Sequence, residues 1–126
     1  MNGQPAFASE GTYTPDDLVI QGPVTSESIT LASGAGSLTR GTVLGKITAS
    51  GKYLKSLSGA SDGSQTPDLI LAEDMDATSA DKTTLAYSSG VFNSNALVLG
   101  ASHTVASIKE GLRAKNIILQ AANAAR

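Results

Sequence analysis

The sequence predicts a mainly β protein: a small β-rich single domain, barrel- or sandwich-like, with one short C-terminal helix and an extended N-terminal arm. Three observations carry this. Between Leu38 and Thr78 lie three short apolar runs, Thr42–Thr48, Tyr53–Leu57 and Leu69–Glu73, each β-branched or Leu-rich and bounded by Gly, Ser, Asp or Pro. Only Thr104–Lys115 repeats its apolar residues, Val105, Ile108 and Leu112, at spacings of three and four. The opening MNGQPAFASEGTYTPDD has two Gly, two Pro, three acids and no aliphatic larger than Ala after Met1.

At 126 residues the chain makes one domain, and a chain of that size buries about two-thirds of its unfolded surface. The expected organisation is an extended arm over 1–22, a β-rich domain over 23–120 and an Ala-rich tail over 121–126. Taken in order, residues 1–17 cannot by themselves bury enough apolar surface to offset their ordering entropy, and read as an arm. Leu18-Val19-Ile20 is a three-residue apolar anchor, punctuated by Gly22-Pro23. Ser28–Ala32 alternates as a half-buried strand, and Gly34-Ala35-Gly36 turns the chain into the central stretch.

There, a hairpin closed near Ser50-Gly51 is expected to place Val43, Ile47, Tyr53 and Leu57 on one face. Leu44 and Leu54 then fall on the other, so both faces are covered at least in part. Asp74 to Lys82 reads as an acidic connection and Thr83–Ser89 as a strand. Gly90 marks a turn or bulge before Val91-Phe92, and Ala96–Leu99 reads as one more strand. The helix has Thr104 or Ser102 to cap its start and Lys109, Arg113 and Lys115 toward its end, where they favour the dipole. Gly111 inside it costs about 1 kcal/mol relative to Ala, so the helix depends on packing. Asn116 is a left-handed terminator, after which Ile117–Leu119 returns to the sheet.

Composition narrows the function. Ala, Ser, Gly and Thr make up 59 of the 126 residues, and the aromatics are only Phe7, Tyr13, Tyr53, Tyr87 and Phe92. Core volume per residue is therefore modest, and neighbouring subunits are expected to complete the burial. The net charge of −2 is scattered, without the basic stripe that neutralises phosphates, so no nucleic-acid partner is expected. No apolar run approaches membrane-spanning length, and the N-terminus has no basic start followed by an apolar run, so neither membrane partner nor signal peptide is expected. The absence of cysteine removes disulfides and thiolate metal sites.

No residue set points to catalysis. His103 is the single histidine and stands just before the helix, where a capping or surface role is the ordinary one; nothing resembles a nucleophile elbow. Glu73, Asp74 and Asp76 form one acid cluster but lack the alternating acids, Gly and closing Glu of a calcium loop. Gly34, Gly36, Gly41 and Gly45 do not form a phosphate-binding fingerprint. The expectation is no enzyme, no cofactor and no metal.

The ordered series RGTVLGKIT, GKY, SDGSQTPDLILAEDMDAT, then Tyr87 followed by GVFN and ALVLG, resembles the head decoration proteins of tailed bacteriophages. The similarity covers Leu38 to Leu119. It implies a small β-rich protein on the outer surface of a virion, made in the host-cell cytoplasm. Its implied partners are the major capsid protein and itself, as a homotrimer that holds neighbouring shell subunits together.

Phe7 and Tyr13 are six residues apart, so an extended segment points both the same way, roughly 20 Å apart at about 3.3 Å per residue. Pro5 and Pro15 bracket them and oppose helix formation. The candidate capsid-binding residues are therefore Phe7, Tyr13, Thr14 and Pro15, with Leu18, Val19 and Ile20 at the root. Two alternatives belong to other classes. In a lipoyl- or biotinyl-carrier-like β-domain, the acidic turn Glu73-Asp74-Met75-Asp76-Ala77 would need a lysine where Met75 stands. A tail-fibre or sugar-binding module would need exposed loop aromatics, of which this chain has few to spare.

Overall fold

The computed structural model describes residues 18–121. In chain order these form β1 (Val19–Leu31), β2 (Gly36–Leu38), β3 (Val43–Lys46), β4 (Tyr53–Lys55), β5 (Pro67–Leu71), β6 (Met75–Ala77), β7 (Lys82–Asn93), a 3-10 turn (Ser94–Ala96), α1 (Val105–Arg113) and β8 (Ile117–Gln120). The sheet order is β1-β4-β3-β5-β7-β8, and β1 also pairs with β7, so five strands close on themselves as a small barrel. β8 continues the sheet beyond the point where β5 leaves β7. The mainly β domain with one late helix is the fold class expected from the sequence. No described helix is long and apolar enough to cross a membrane.

Two cores follow from the alternation of side chains across this wall. Ile29, Leu31, Leu44, Tyr53, Leu69, Leu71 and Ala86 pack together on the inner face, with Leu38 and Ala77 of the β2–β6 pair against them. Val43, Ile70, Phe92, Ile117 and Leu119 point the other way and are covered by Ile108 and Leu112 of α1. The helix is buried on that stripe alone. Thr104 caps it in a reciprocal box with Ser107, and Asn116 ends the following turn at φ +70°, the terminator expected.

The β3–β4 hairpin departs from expectation by one residue. The Ile47 N–H donates to the Lys52 carbonyl at 2.8 Å, which leaves a four-residue loop. An even loop opposes odd with even positions, so Tyr53 lies across from Lys46 and shares the inner face with Leu44, while Val43 faces the helix. Leu57 lies beyond β4 and is 42% exposed.

Three further differences are local. Residues 82–93 form one unbroken strand, because Gly90 adopts φ +144° and leaves room for Val24; a Cβ there would lie 2.6 Å from Val24 Cγ1. The register shifts lie farther along the pair: β1 carries extra residues between Val19 and Thr25, and β7 carries one, Ser88, opposite Thr25-Ser26. Ala96–Leu99 holds only the end of the 3-10 turn and one bridge, Thr42 to Val98. The Asp74–Lys82 connection contains β6, whose partner β2 lies in the Gly-rich turn. Three-residue strands carry too little periodicity to be read from sequence.

Candidate functional site

The two ends of the described segment lie together. The last residues of β7 run between the start of β1, antiparallel, and β8, parallel: Val19 pairs with Phe92, and Asn93 with Gln120. The described chain therefore enters and leaves at one end of β7, on opposite sides, about two strand spacings or ~10 Å apart. Phe92, Ile117 and Leu119 are buried and back this end from the core. The Asn93 N–H donates to the Leu18 carbonyl at 2.7 Å, which carries the pairing past β1 to the first described residue.

The root residues divide by exposure. Leu18 is 1% exposed and belongs to the helix-side core, Val19 is half-buried, and Ile20 is 37% exposed. β1 begins at Val19, within the stretch expected as arm. Phe7, Tyr13, Thr14 and Pro15 lie outside the described residues. The sequence contains the anchor Leu18–Ile20 but not its neighbour across β7. Gln120 joins it only through the parallel return of β8.

Other polar groups are used locally. Glu73 Oε2 accepts from the Thr84 hydroxyl and the Leu85 N–H, Asp74 Oδ1 from the Arg40 N–H, and Asp76 Oδ1 from the Thr78 N–H and hydroxyl. These bonds make the acid cluster a set of turn and strand-end caps, and the Thr78 bonds hold the Asp76 carboxyl below its ordinary range. Asp62 is lowered in the same way by Ser64, and Asp81 by Lys52 and the Ser33 N–H. No group of His and acids is placed to hold a metal ion among the described residues.

His103 has a different place from the one expected. Thr104 is the cap, and His103 Nε2 lies 3.1 Å from the Ser56 Oγ. Ser56 is fully buried, so this pair ties the loop before α1 to the exit of β4 and offers no nucleophile to a substrate. An open groove of about 300 Å³ is lined by Lys46, Thr48, Thr66, Asp68 and Lys115. Within it Asp68 is engaged by Lys115 at 3.1 Å and by the Tyr53 hydroxyl at 3.2 Å.

The described chain is a closed barrel with both described ends at one pole, and Asp62, Asp74, Asp76 and Asp81 accept from backbone N–H groups of turns and strand ends. The class that the fold defines is a small, closed, mainly β single domain with one short helix. The profile of the family described as bacteriophage lambda head decoration protein D matches residues 8–119, and the chain belongs to that family. No curated protein sequence matches the chain. The family match begins well before Leu38, where the resemblance read from the motifs starts. It takes in Tyr13, Thr14, Pro15 and Leu18–Ile20 and leaves Phe7 just outside.

Proposed function

We propose that this head decoration protein binds the outer surface of a phage capsid as trimers and cements neighbouring capsid subunits, with residues 1–17 as its anchor. The observation that supports this reading is the shared pole: Val19 and Gln120 flank the end of β7, so the chain preceding Leu18 joins the barrel at a strand-paired, buried end. From there a segment carrying Phe7 and Tyr13 on one side adds as an extended strand to the capsid protein, with main-chain bonds supplying affinity and the two rings filling pockets. Thr14, Pro15, Val19 and Ile20 continue the contact toward the barrel, and Leu18 fixes the root from inside the core. Three arms on one trimer convert weak single contacts into strong retention.

Deletion of residues 1–17 tests the reading. The truncated protein keeps both cores and is expected to fold, while its capsid affinity falls sharply; Phe7→Ala with Tyr13→Ala reproduces much of that loss. Undiminished decoration by the truncated protein would move the docking surface onto the barrel.

A further inference from the structure

The barrel is closed on one side by a single bridge. β1 pairs with β7 along most of its length, but with β4 only through Leu31 and Tyr53. The Ala32 N–H donates to the Tyr53 carbonyl at 3.0 Å, so at this end of β1 the even-numbered residues turn their N–H and C=O groups toward β4. Glu27, Ile29 and Leu31 then turn theirs toward β7. The bond from the Ala72 N–H to the Leu85 carbonyl at 3.0 Å agrees, because Leu85, opposite Ser28, points its carbonyl away from β1. Ser26 and Ser28 therefore aim their backbone groups at a side where no described strand meets them, and both residues are exposed.

Sheet edges of this kind are ordinarily blunted by lysine, proline, a bulge or a covering element. Residues 24–30 contain no Lys, Arg or Pro, and the register shifts of β1 against β7 end at Ser26. Between this edge and the β3–β4 hairpin lies an open groove of about 380 Å³. One wall is residues 27–30, and the other is Lys46 with residues 50–53. Glu27 and Lys46, one on each wall, form no ion pair with each other or with any described residue, whereas Lys52 is held by Asp81 at 2.6 Å. A second copy pairing edge to edge would do so about a two-fold axis near Glu27, and the two carboxylates would oppose each other. A different chain, with charges complementary to both walls, meets no such penalty.

We infer that this groove receives an extended segment of the capsid protein, which pairs with the open edge of β1 as an added strand. Its backbone bonds to the N–H and C=O groups of Ser26 and Ser28. It carries a basic side chain toward Glu27 and an acidic one toward Lys46. The inference rests on the capsid-binding reading and adds a second contact, on the barrel itself, in which the capsid supplies the strand.

The test compares full-length protein free and on bare heads of its phage. On heads, the Ser26 and Ser28 amides are expected to exchange hydrogen about tenfold more slowly than in free protein, or slower still. Ser28→Pro removes an N–H that the β1–β7 ladder does not use, so the variant is expected to fold yet bind heads about tenfold more weakly. Glu27→Lys and Lys46→Glu, both at exposed positions, are each expected to weaken binding about tenfold at low salt. Thermal unfolding of each free variant checks the fold, and the exchange measurement needs no variant. If the two amides exchange equally fast in free and bound protein, the edge is bare on the head and the inference falls. Wild-type affinity in both charge variants would overturn the chemistry assigned to the strand. Slowing that grows with the concentration of free protein would give the edge to a second copy, and would also overturn it. Failure of the unaltered protein to bind heads would instead overturn the reading beneath.

Discussion

The hydroxyl of Tyr53 donates to Asp68 Oδ2 at 3.2 Å, while Lys115 holds the other oxygen of the same carboxylate at 3.1 Å. One side chain of the inner core is thereby tied to the strand that begins β5 and to the turn after α1. Burial of the ring, then the neighbouring Asp68 charge, push the Tyr53 hydroxyl up from 10.0 to about 12. The folded state thus favours the protonated phenol.

The sign of the pH dependence follows. Below pH 10 the contribution of Tyr53 is fully present. Between pH 10 and about 12 the unfolded chain releases the proton while the folded chain keeps it, so stability falls as pH rises through that window. Urea midpoints measured across this range are expected to decline, and Tyr53→Phe to remove part of the decline at a cost of about 1 kcal/mol near neutrality. An unchanged alkaline limb in the variant would show that Tyr53 is not responsible.

Gly45 and Gly111 are expected to respond to alanine with opposite signs. A Cβ on Gly45 would lie 1.9 Å from the Ser64 carbonyl oxygen, a backbone atom that cannot swing aside. Gly45→Ala is expected to cost about 3 kcal/mol or prevent folding. Gly111 is exposed on α1 and a Cβ there meets nothing within 4 Å, so Gly111→Ala is expected to add about 1 kcal/mol. Denaturant titration of both variants checks the pair.

Thr104 and Ser107 satisfy each other's backbone N–H groups at the start of α1, at 3.1 and 2.9 Å. Thr104→Ala is expected to lower stability by about 1 kcal/mol, and Thr104→Ser to restore most of it. The same titrations measure it. Equal stability of the Ala variant would mean that tertiary packing, not the cap, holds this end.

Cementing makes a prediction at the level of the particle. Protein that binds the assembled shell and not its disrupted state raises the disruption temperature by mass action, and the effect saturates at a fixed stoichiometry. Calorimetry of bare heads with increasing protein checks this. Density at three-fold positions in decorated particles is the expected arrangement, and isolated monomers or two-fold dimers would exclude the trimer.

Much of this fold was legible along the chain. Short runs bounded by Gly, Ser, Asp and Pro are strands wherever they pair, and the spacing of Val105, Ile108 and Leu112 admits only a helix with one buried stripe. The cap at Thr104 and the left-handed Asn116 are local chemistry and were readable as such. Register was not. Which face Tyr53 takes depends on whether the loop before it holds an odd or an even number of residues, and the hydrogen bond from Ile47 to Lys52 settles that in space. The closure of β1 on β7, and the return of β8 that brings Gln120 to the side of β7 opposite Val19, join positions far apart in the chain. A pattern of local periods holds no information about such partners, because non-local pairing is decided by the total burial that one topology achieves and its rivals do not.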